Sequence, residues 1–276
     1  MTGVAGPAPS LTRAPASTMP AAVRAEWIKL RTVSGPGWLL LACAVVTITV
    51  SAAVVSVEKC SSASCAVDAT KVSLVGVQVG QAAVAVLAVI VIGGEYATGM
   101  IRVTLAAVPR RPVMLAAKAA AVAVVTAAAG IIAVAGSLLA GRIFLPGNGF
   151  TAAHGYAALS VTHGPTLRAA AGSVLYLMLV ALLSLGVAAA VRDTAAAIAI
   201  VLGVMYVVRG VSGLVLDPAW QHRVGRVAPM NAGLAIQSTT NLGKLPIAPW
   251  AGLGVLAAWA AAALLAGLLL LRLRDA

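Results

Sequence analysis

The side chains able to do chemistry are few, and most sit at the edges of long apolar runs. The chain has 276 residues and holds seven acids, three histidines and three cysteines. The acids are Glu26, Glu58, Asp68, Glu95, Asp193, Asp217 and Asp275, each in a loop, at the end of an apolar run or near a terminus. A proton-driven carrier keeps a carboxylate within the membrane as its relay, so this placement points to an energy source elsewhere. His154, His163 and His222 fall in loops without clustered carboxylates, and no H-E-x-x-H occurs, so no metal site is expected. No G-x-x-x-x-G-K-[ST] occurs, so no nucleotide site is expected on this chain. Gly210-Val211-Ser212-Gly213 has the form G-x-S-G, but a serine nucleophile needs a base and no histidine falls in an apolar run. Ser212 reads as a small packing residue between helices. No catalytic residue is assigned.

Two groups of polar residues remain. The first is the stretch GGEYATGMIRVTLAAVPRRP, Gly93 to Pro112. On a helix, Ala97, Ile101, Leu105 and Val108 form an apolar stripe, while Glu95, Thr98 and Arg102 form a separate polar one. Pro109 ends the helix, and Arg110 and Arg111 anchor the next apolar run. This is a short amphipathic helix able to lie on lipid or to dock in a partner's groove. The second group is Gln78, Gln81 and Arg209, which lie inside apolar runs at a comparable depth. An arginine at the bilayer centre costs at least ~2.5 kcal/mol. Either the three face a common cavity, or Arg209 snorkels to headgroups or reaches Asp217.

The elements that must position these residues are membrane spans. Only 9% of the chain is charged and 61% is hydrophobic, against about 25% charged in a soluble globular protein. A helix needs about 20 apolar residues to cross a bilayer, and six runs suffice: roughly 38–57, 72–93, 113–141, 169–191, 194–215 and 250–271. Without strand alternation, these runs are helices, and the fold class is an all-α membrane protein. Residues 1–20, rich in Pro, Ala, Ser and Thr, read as a disordered arm, and 21–276 as one six-span domain. The third run exceeds the bilayer, so its first turns project or tilt. Arg192-Asp193 is the whole connection between spans 4 and 5, which makes them an antiparallel hairpin.

The net charge of +12 comes from Lys and Arg that flank spans instead of forming one patch, which excludes a nucleic-acid partner and implies topology signals and lipid contact. With both ends on one side, Arg13, Arg24, Lys29, Arg31, Arg102, Arg110, Arg111, Lys118, Arg192, Arg272 and Arg274 share that side; these are eleven of the 19 basic residues, leaving eight on the other. The positive-inside tendency makes the eleven-residue side cytoplasmic. Cys43 lies within span 1 as a small apolar filler. Cys60 and Cys65 lie in the first outer loop, as an oxidised pair or two free thiols. Ahead of span 1, AAVRAEWIKLRTVSG places Val23, Trp27 and Leu30 on one helical stripe between basic flanks, the pattern of a helix lying in the membrane interface. Gly35-Pro36-Gly37 then breaks the chain. The moderately apolar stretch NAGLAIQSTT suits a short helix dipping into the outer leaflet.

At this point the chain resembles the membrane-spanning permease subunits of type-two, exporter-type ABC transporters of bacteria. The resemblance rests on AEWIKLRTVSG (Ala25–Gly35), GEYATGMIRVTLAAVPRR (Gly94–Arg111), PWAGLGVLAAW (Pro249–Trp259) with the ending LRLRDA, and on the six-span layout. Met100 stands where Thr is more usual. The resemblance implies export across a bacterial inner membrane, with both termini cytoplasmic. The partners would be a second permease copy, in a homo- or heterodimer, and two copies of a separate ATPase subunit that carries ATP and Mg, so this chain would itself be neither an enzyme nor the holder of a cofactor. The N-terminal helix would be the elbow helix. Glu95, Tyr96, Thr98, Gly99, Ile101, Arg102 and Leu105 would belong to the coupling helix that contacts the ATPase. Gln78, Gln81 and Arg209, on spans 2 and 5, would line the pathway, and residues 228–242 would be re-entrant. A polytopic membrane enzyme and a non-transporting anchor for a cytoplasmic partner are the rival classes.

This topology predicts that an impermeant thiol reagent, applied to intact cells after mild reduction, labels both Cys60 and Cys65. Labelling only after permeabilisation would invert the arrangement.

Overall fold

Six apolar helices, each long enough to cross a bilayer, make up most of the chain. The computed structural model describes residues 19–60, 67–156, 159–160, 163–214 and 217–273, and every regular element among them is helical. The arm assigned to residues 1–20 thus lies outside the described residues except for Met19 and Pro20, which open the first helix. Helix α1 (Met19–Thr32) is followed by α2 (Ser34–Val57), the short α3 (Ala69–Ser73), α4 (Val77–Ala97), the short α5 (Met100–Ala107), α6 (Arg111–Phe144) and α7 (Gly164–Val191). The fifth crossing is composite: α8 (Thr194–Leu202) passes through a π-helical segment, Gly203–Val207, into α9 (Val208–Leu214). Two further short helices, α10 (Pro218–Val227) and α11 (Pro229–Leu234), precede the last crossing, α12 (Pro249–Leu273).

The six crossings coincide with the six apolar runs to within a few residues, because bilayer thickness sets the length each must have. Their burial sorts them. Half or more of α4, α6 and α7 is buried inside the bundle, while less than a quarter of the α8–α9 crossing and of α12 is. The outward faces of these two carry Ile200, Val207, Leu265 and Leu269, an apolar surface suited to lipid or another membrane helix. At 34 residues α6 is about 50 Å long at 1.5 Å per residue, so it outreaches a bilayer core of about 30 Å.

The α2–α4 contact shows how such helices hold together without a hydrophobic force between them. Gly76 and Gly80, four residues apart, lie directly against α2. A Cβ on Gly76 would stand 1.9 Å from the Thr47 carbonyl oxygen, and one on Gly80 1.9 Å from Thr47 Oγ1. Close backbone approach through small residues is what membrane helix pairs use. Ser51 Oγ accepts from the Gly76 N–H at 3.0 Å and satisfies it within the contact.

The bundle has two distinct ends. At one, two arginines cap the close of α12: Arg111 donates to the Leu271 carbonyl and Arg192 to that of Leu270 at 3.2 Å. These satisfy carbonyls that a helix C-terminus leaves without partners. Arg192 itself closes α7 in the left-handed conformation, and Asp193 caps α8 by accepting from Ala196 N–H at 2.7 Å. The two-residue hairpin read from the sequence therefore forms. At the other end, Phe150 packs edge-on against Tyr156 at 4.9 Å over a small satellite core with Val55, Cys60 and Leu145. Cys60 is disulfide-bonded; Cys65 lies outside the described residues, and Cys43 is a buried free thiol as expected.

The chain enters span 1 differently from the sequence reading. The break falls at Val33, and Gly35-Pro36-Gly37 forms the first turn of α2. Proline is tolerated there because a first-turn N–H has no intrahelical partner to lose.

Gly80→Leu is expected to lower the melting temperature of the detergent-solubilised protein sharply, since overpacking costs about 1–3 kcal/mol or more. Gly94→Ala, with no atom within 4 Å of the added Cβ, should leave it unchanged or raise it. Size-exclusion peak height after graded heating is the measurement.

Candidate functional site

The first site is a knot of charge at the end of the bundle that carries α5. Lys118, in the second turn of α6, is fully buried. Its Nζ donates to Glu26 Oε1 of α1 at 2.8 Å and to Glu95 Oε1 of α4 at 2.7 Å. Lys29 of α1 donates to the same Glu95 oxygen. Glu26 and Glu95 are themselves buried, so two cations and two carboxylates form a neutral group drawn from three helices. Glu95 Oε2 has no hydrogen-bond partner. The carboxylate lines a crevice of about 240 Å³ between α1 and α4, whose other walls include Leu30, Val33, Ile90 and Met100.

This knot adds a second face to the reading of α1. The stripe expected toward the membrane interface was Val23, Trp27 and Leu30. Trp27 is exposed, whereas Ala22, Glu26 and Leu30 are buried against the bundle. Glu26 points inward because Lys118 requires a partner, and a buried charge without one costs far more than the rotation of a helix.

The structure also breaks the single helix expected across Glu95–Val108. Helix α4 ends at Ala97, Thr98 Oγ1 bonds back to the Gly94 carbonyl at 2.8 Å, and Gly99 turns the chain at φ +71°. Glycine suits this left-handed position because other residues meet their own Cβ there. The polar row Glu95–Thr98–Arg102 therefore does not form: Glu95 is buried beneath, while Thr98, Gly99 and Arg102 are exposed. In α5, Ile101 is buried and Leu105 packs half-buried on the core, whereas Met100 and Val103 face outward beside Arg102. Tyr96 is half-buried under the Arg192 guanidinium, 5.5 Å from its ring centre. Helix α5 thus has a seated face and an exposed face, as an amphipathic helix must.

The second site lies at the opposite end. Helices α10 and α11 form a hairpin that enters the bundle and returns. The Trp259 indole N–H donates to the Val227 carbonyl at 3.0 Å, and Trp259 stands about 15 Å along α12 from Pro249 at 1.5 Å per residue. Met230 and residues 232–238 are buried on the way out. Asp68 ties the hairpin's exit: it accepts from Thr239 N–H at 2.5 Å, Thr239 Oγ1 at 2.7 Å and Thr240 N–H at 3.0 Å. Arg168 donates to the Ser238 carbonyl at 2.6 Å. Of the stretch 228–242, expected to be re-entrant, residues 228–230 and 232–238 are buried in the bundle.

A cavity of about 670 Å³ opens beside this hairpin, lined by Gln78, Arg209, Asn231 and Gln237 among others. Of the three intramembrane polar residues singled out, Gln78 and Arg209 share this cavity. Gln81 sits behind it, 1% exposed, accepting from Tyr176 Oη and donating to the Gln78 carbonyl at 3.0 Å and Met230 Sδ at 3.3 Å. Arg209 donates to Asn231 Oδ1 at 3.3 Å. Tyr206, within the π-helical segment, donates to the Gln78 carbonyl at 2.6 Å. Such segments recur where a helix must redirect side chains at a site.

Sequence reasoning missed Glu26 and Lys118 as partners, and Asp68, Gln237 and Ser238 as parts of the hairpin site. For Lys118 a signal existed: a lysine with five apolar residues before it and seven after it demands a carboxylate, and the acids at that end are few. Among the described residues no group of three or more His, Cys, Asp or Glu gathers as a metal site would. No known family model matches the chain, and no curated protein matches it.

Lys118→Met leaves Glu26 and Glu95 buried with half their compensating charge, and should destabilise the fold by about 3–5 kcal/mol. The triple variant Glu26→Gln, Glu95→Gln, Lys118→Met should recover part of that loss. Unfolding titrations in mixed micelles give both values, and equal losses would contradict the pairing.

Proposed function

We propose that the chain is the permease subunit of an ATP-driven exporter of the ABC type. A dimer of permeases would form the pathway, and two ATPase subunits on separate chains would bind and hydrolyse ATP with Mg. The observation that carries this reading is α5: a short helix between the second and third crossings, seated by Ile101 and Leu105 and exposing Arg102, Met100 and Val103. A mixed face of one charge and two apolar side chains suits a protein groove, where apolar residues fill space and a charge fixes register. The crossings that flank α5 are the ones tied to α1 through Glu95 and Lys118. A push on α5 would therefore move α1, α4 and α6 together. In this reading α1 is the elbow helix, the α5 end faces the cytoplasm of a bacterial cell, and the cavity beside Arg209 belongs to the transport route.

Within this reading Glu95 acts from beneath α5 instead of touching the ATPase, so Arg102 is the cleaner test. Arg102→Glu should leave the permease folded and weaken co-purification of its co-expressed ATPase roughly tenfold, about 1.4 kcal/mol. Unchanged co-purification and unchanged ATPase stimulation would remove α5 from the interface.

A further inference from the structure

Helix α1 meets the start of α2 and the end of α4 beside the Lys118 group, and the three do not close on one another. They leave the crevice of about 240 Å³, with Glu26, Lys29 and Glu95 in its polar lining and Leu30, Val33, Ile90 and Met100 in its apolar lining. Gly35, in the first turn of α2, and Gly94, in the last turn of α4, also line it. A Cβ on either would meet no atom within 4 Å. Because α2 and α4 are crossings, their ends lie where hydrocarbon gives way to headgroups. Val33, Ile90 and Met100 are exposed there, as side chains facing lipid would be.

The polar lining has an unfilled position. Glu95 Oε1 accepts from both Lys29 and Lys118, whereas Oε2 accepts from nothing among the described residues, although Glu95 is 3% exposed. A carboxylate oxygen can take two hydrogen bonds, and a buried one left without any is rare. Oε2 therefore calls for an N–H or O–H donor. Charge narrows the choice. Lys29 and Lys118 balance Glu26 and Glu95, so an added cation or anion alone would leave the group unbalanced out of water. A zwitterion leaves it balanced. Of the four side chains Lys29 alone is substantially open, at 35% exposed. It is free to turn toward an incoming anionic group while a new donor reaches the carboxylate.

We propose that this crevice binds a zwitterionic phospholipid whose head carries a primary ammonium. The ammonium donates to Glu95 Oε2, the phosphate meets Lys29, and the chain runs out over Ile90 and Met100. A charge-assisted hydrogen bond of this kind needs an N–H, which a quaternary ammonium lacks. The volume falls below the about 300–1,000 Å³ of a drug-sized pocket, and suits a headgroup with its first methylenes while the rest of the chain stays outside. The bound lipid ties α1 to α4 just ahead of Gly99, where the chain turns into α5. This binding needs the present chain alone and stands apart from its reading as an exporter subunit.

The test uses the full chain purified in a neutral maltoside detergent, without ATPase, so its outcome is separate from that of the Arg102 experiment. Thermal melting is followed while titrating palmitoyl lysophosphatidylethanolamine, palmitoyl lysophosphatidylcholine or O-phosphoethanolamine. The two lysolipids differ only in the methyl groups on nitrogen. The expected result is a saturable upward shift with the ethanolamine lipid, at a midpoint roughly tenfold lower than with the choline lipid. Glu95→Gln should weaken that preference, and if this variant fails to fold, Gly94→Leu decides. Its Cβ meets open space and its branch occupies the crevice, so it should fold and lose the shift. Equal midpoints for the two lysolipids, no saturable shift, or a shift that survives in Gly94→Leu overturns the proposal. An equal response to O-phosphoethanolamine, which has the head and no chain, overturns the assignment to a lipid.

Discussion

A lysine buried without water must be answered by carboxylates, and Lys118 imposes that demand on three helices at once. An ammonium taken out of water costs several kcal/mol unless a carboxylate meets it. Lys118 is fully buried, and its ammonium is met by Glu26 and Glu95 at 2.8 and 2.7 Å. Glu26 is brought by α1, on the face that also buries Ala22 and Leu30. Glu95 is brought by the last turn of α4, just before Gly99 turns the chain into α5. Removing any partner leaves a buried charge uncompensated, so the group behaves as one unit. The orientation of α1, the end of α4 and the start of α6 all follow from it.

The opposite end is organised by a different constraint. There the chain between the fifth and sixth crossings folds into the bundle, and its backbone groups must find partners without bulk water. Asp68 and Arg168 supply them at the hairpin's exit, and Trp259 at its turn. Around this insertion lie the π-helical segment, the Gln81–Tyr176 pair and the cationic cavity. One end of the molecule is thus closed by paired charges, whereas the other opens into a cavity lined by Lys71 and Arg209.

Much of this was legible in the sequence. The six crossings were, because a run of about 20 apolar residues has few other uses. The hairpin at Arg192-Asp193 followed from its length, and the short helices before the first crossing and after the second followed from their mixed composition. The inward turn of Glu26 was not legible, because a glutamate on a helix stripe ordinarily marks the wet face. Its partner lies 92 residues away and shows only in three dimensions. Gln81 was read with Gln78 because both lie on one crossing at similar depth; only the position of Tyr176 decides that one is sealed and the other lines the cavity. The break at Gly99 left a glycine as its trace, but an uninterrupted apolar stripe from Ala97 to Val108 outweighed it.

The central claim is that the Lys118 group holds α1 and α5 in a fixed relation to the bundle. Spin labels at positions 24 on α1 and 103 on α5, both exposed, report on it by pulsed dipolar spectroscopy. The account predicts one narrow distance distribution in the otherwise native chain and a broadened or shifted one in Lys118→Met. An equally narrow, unmoved distribution in that variant would show that apolar packing alone fixes the junction, and would contradict the account.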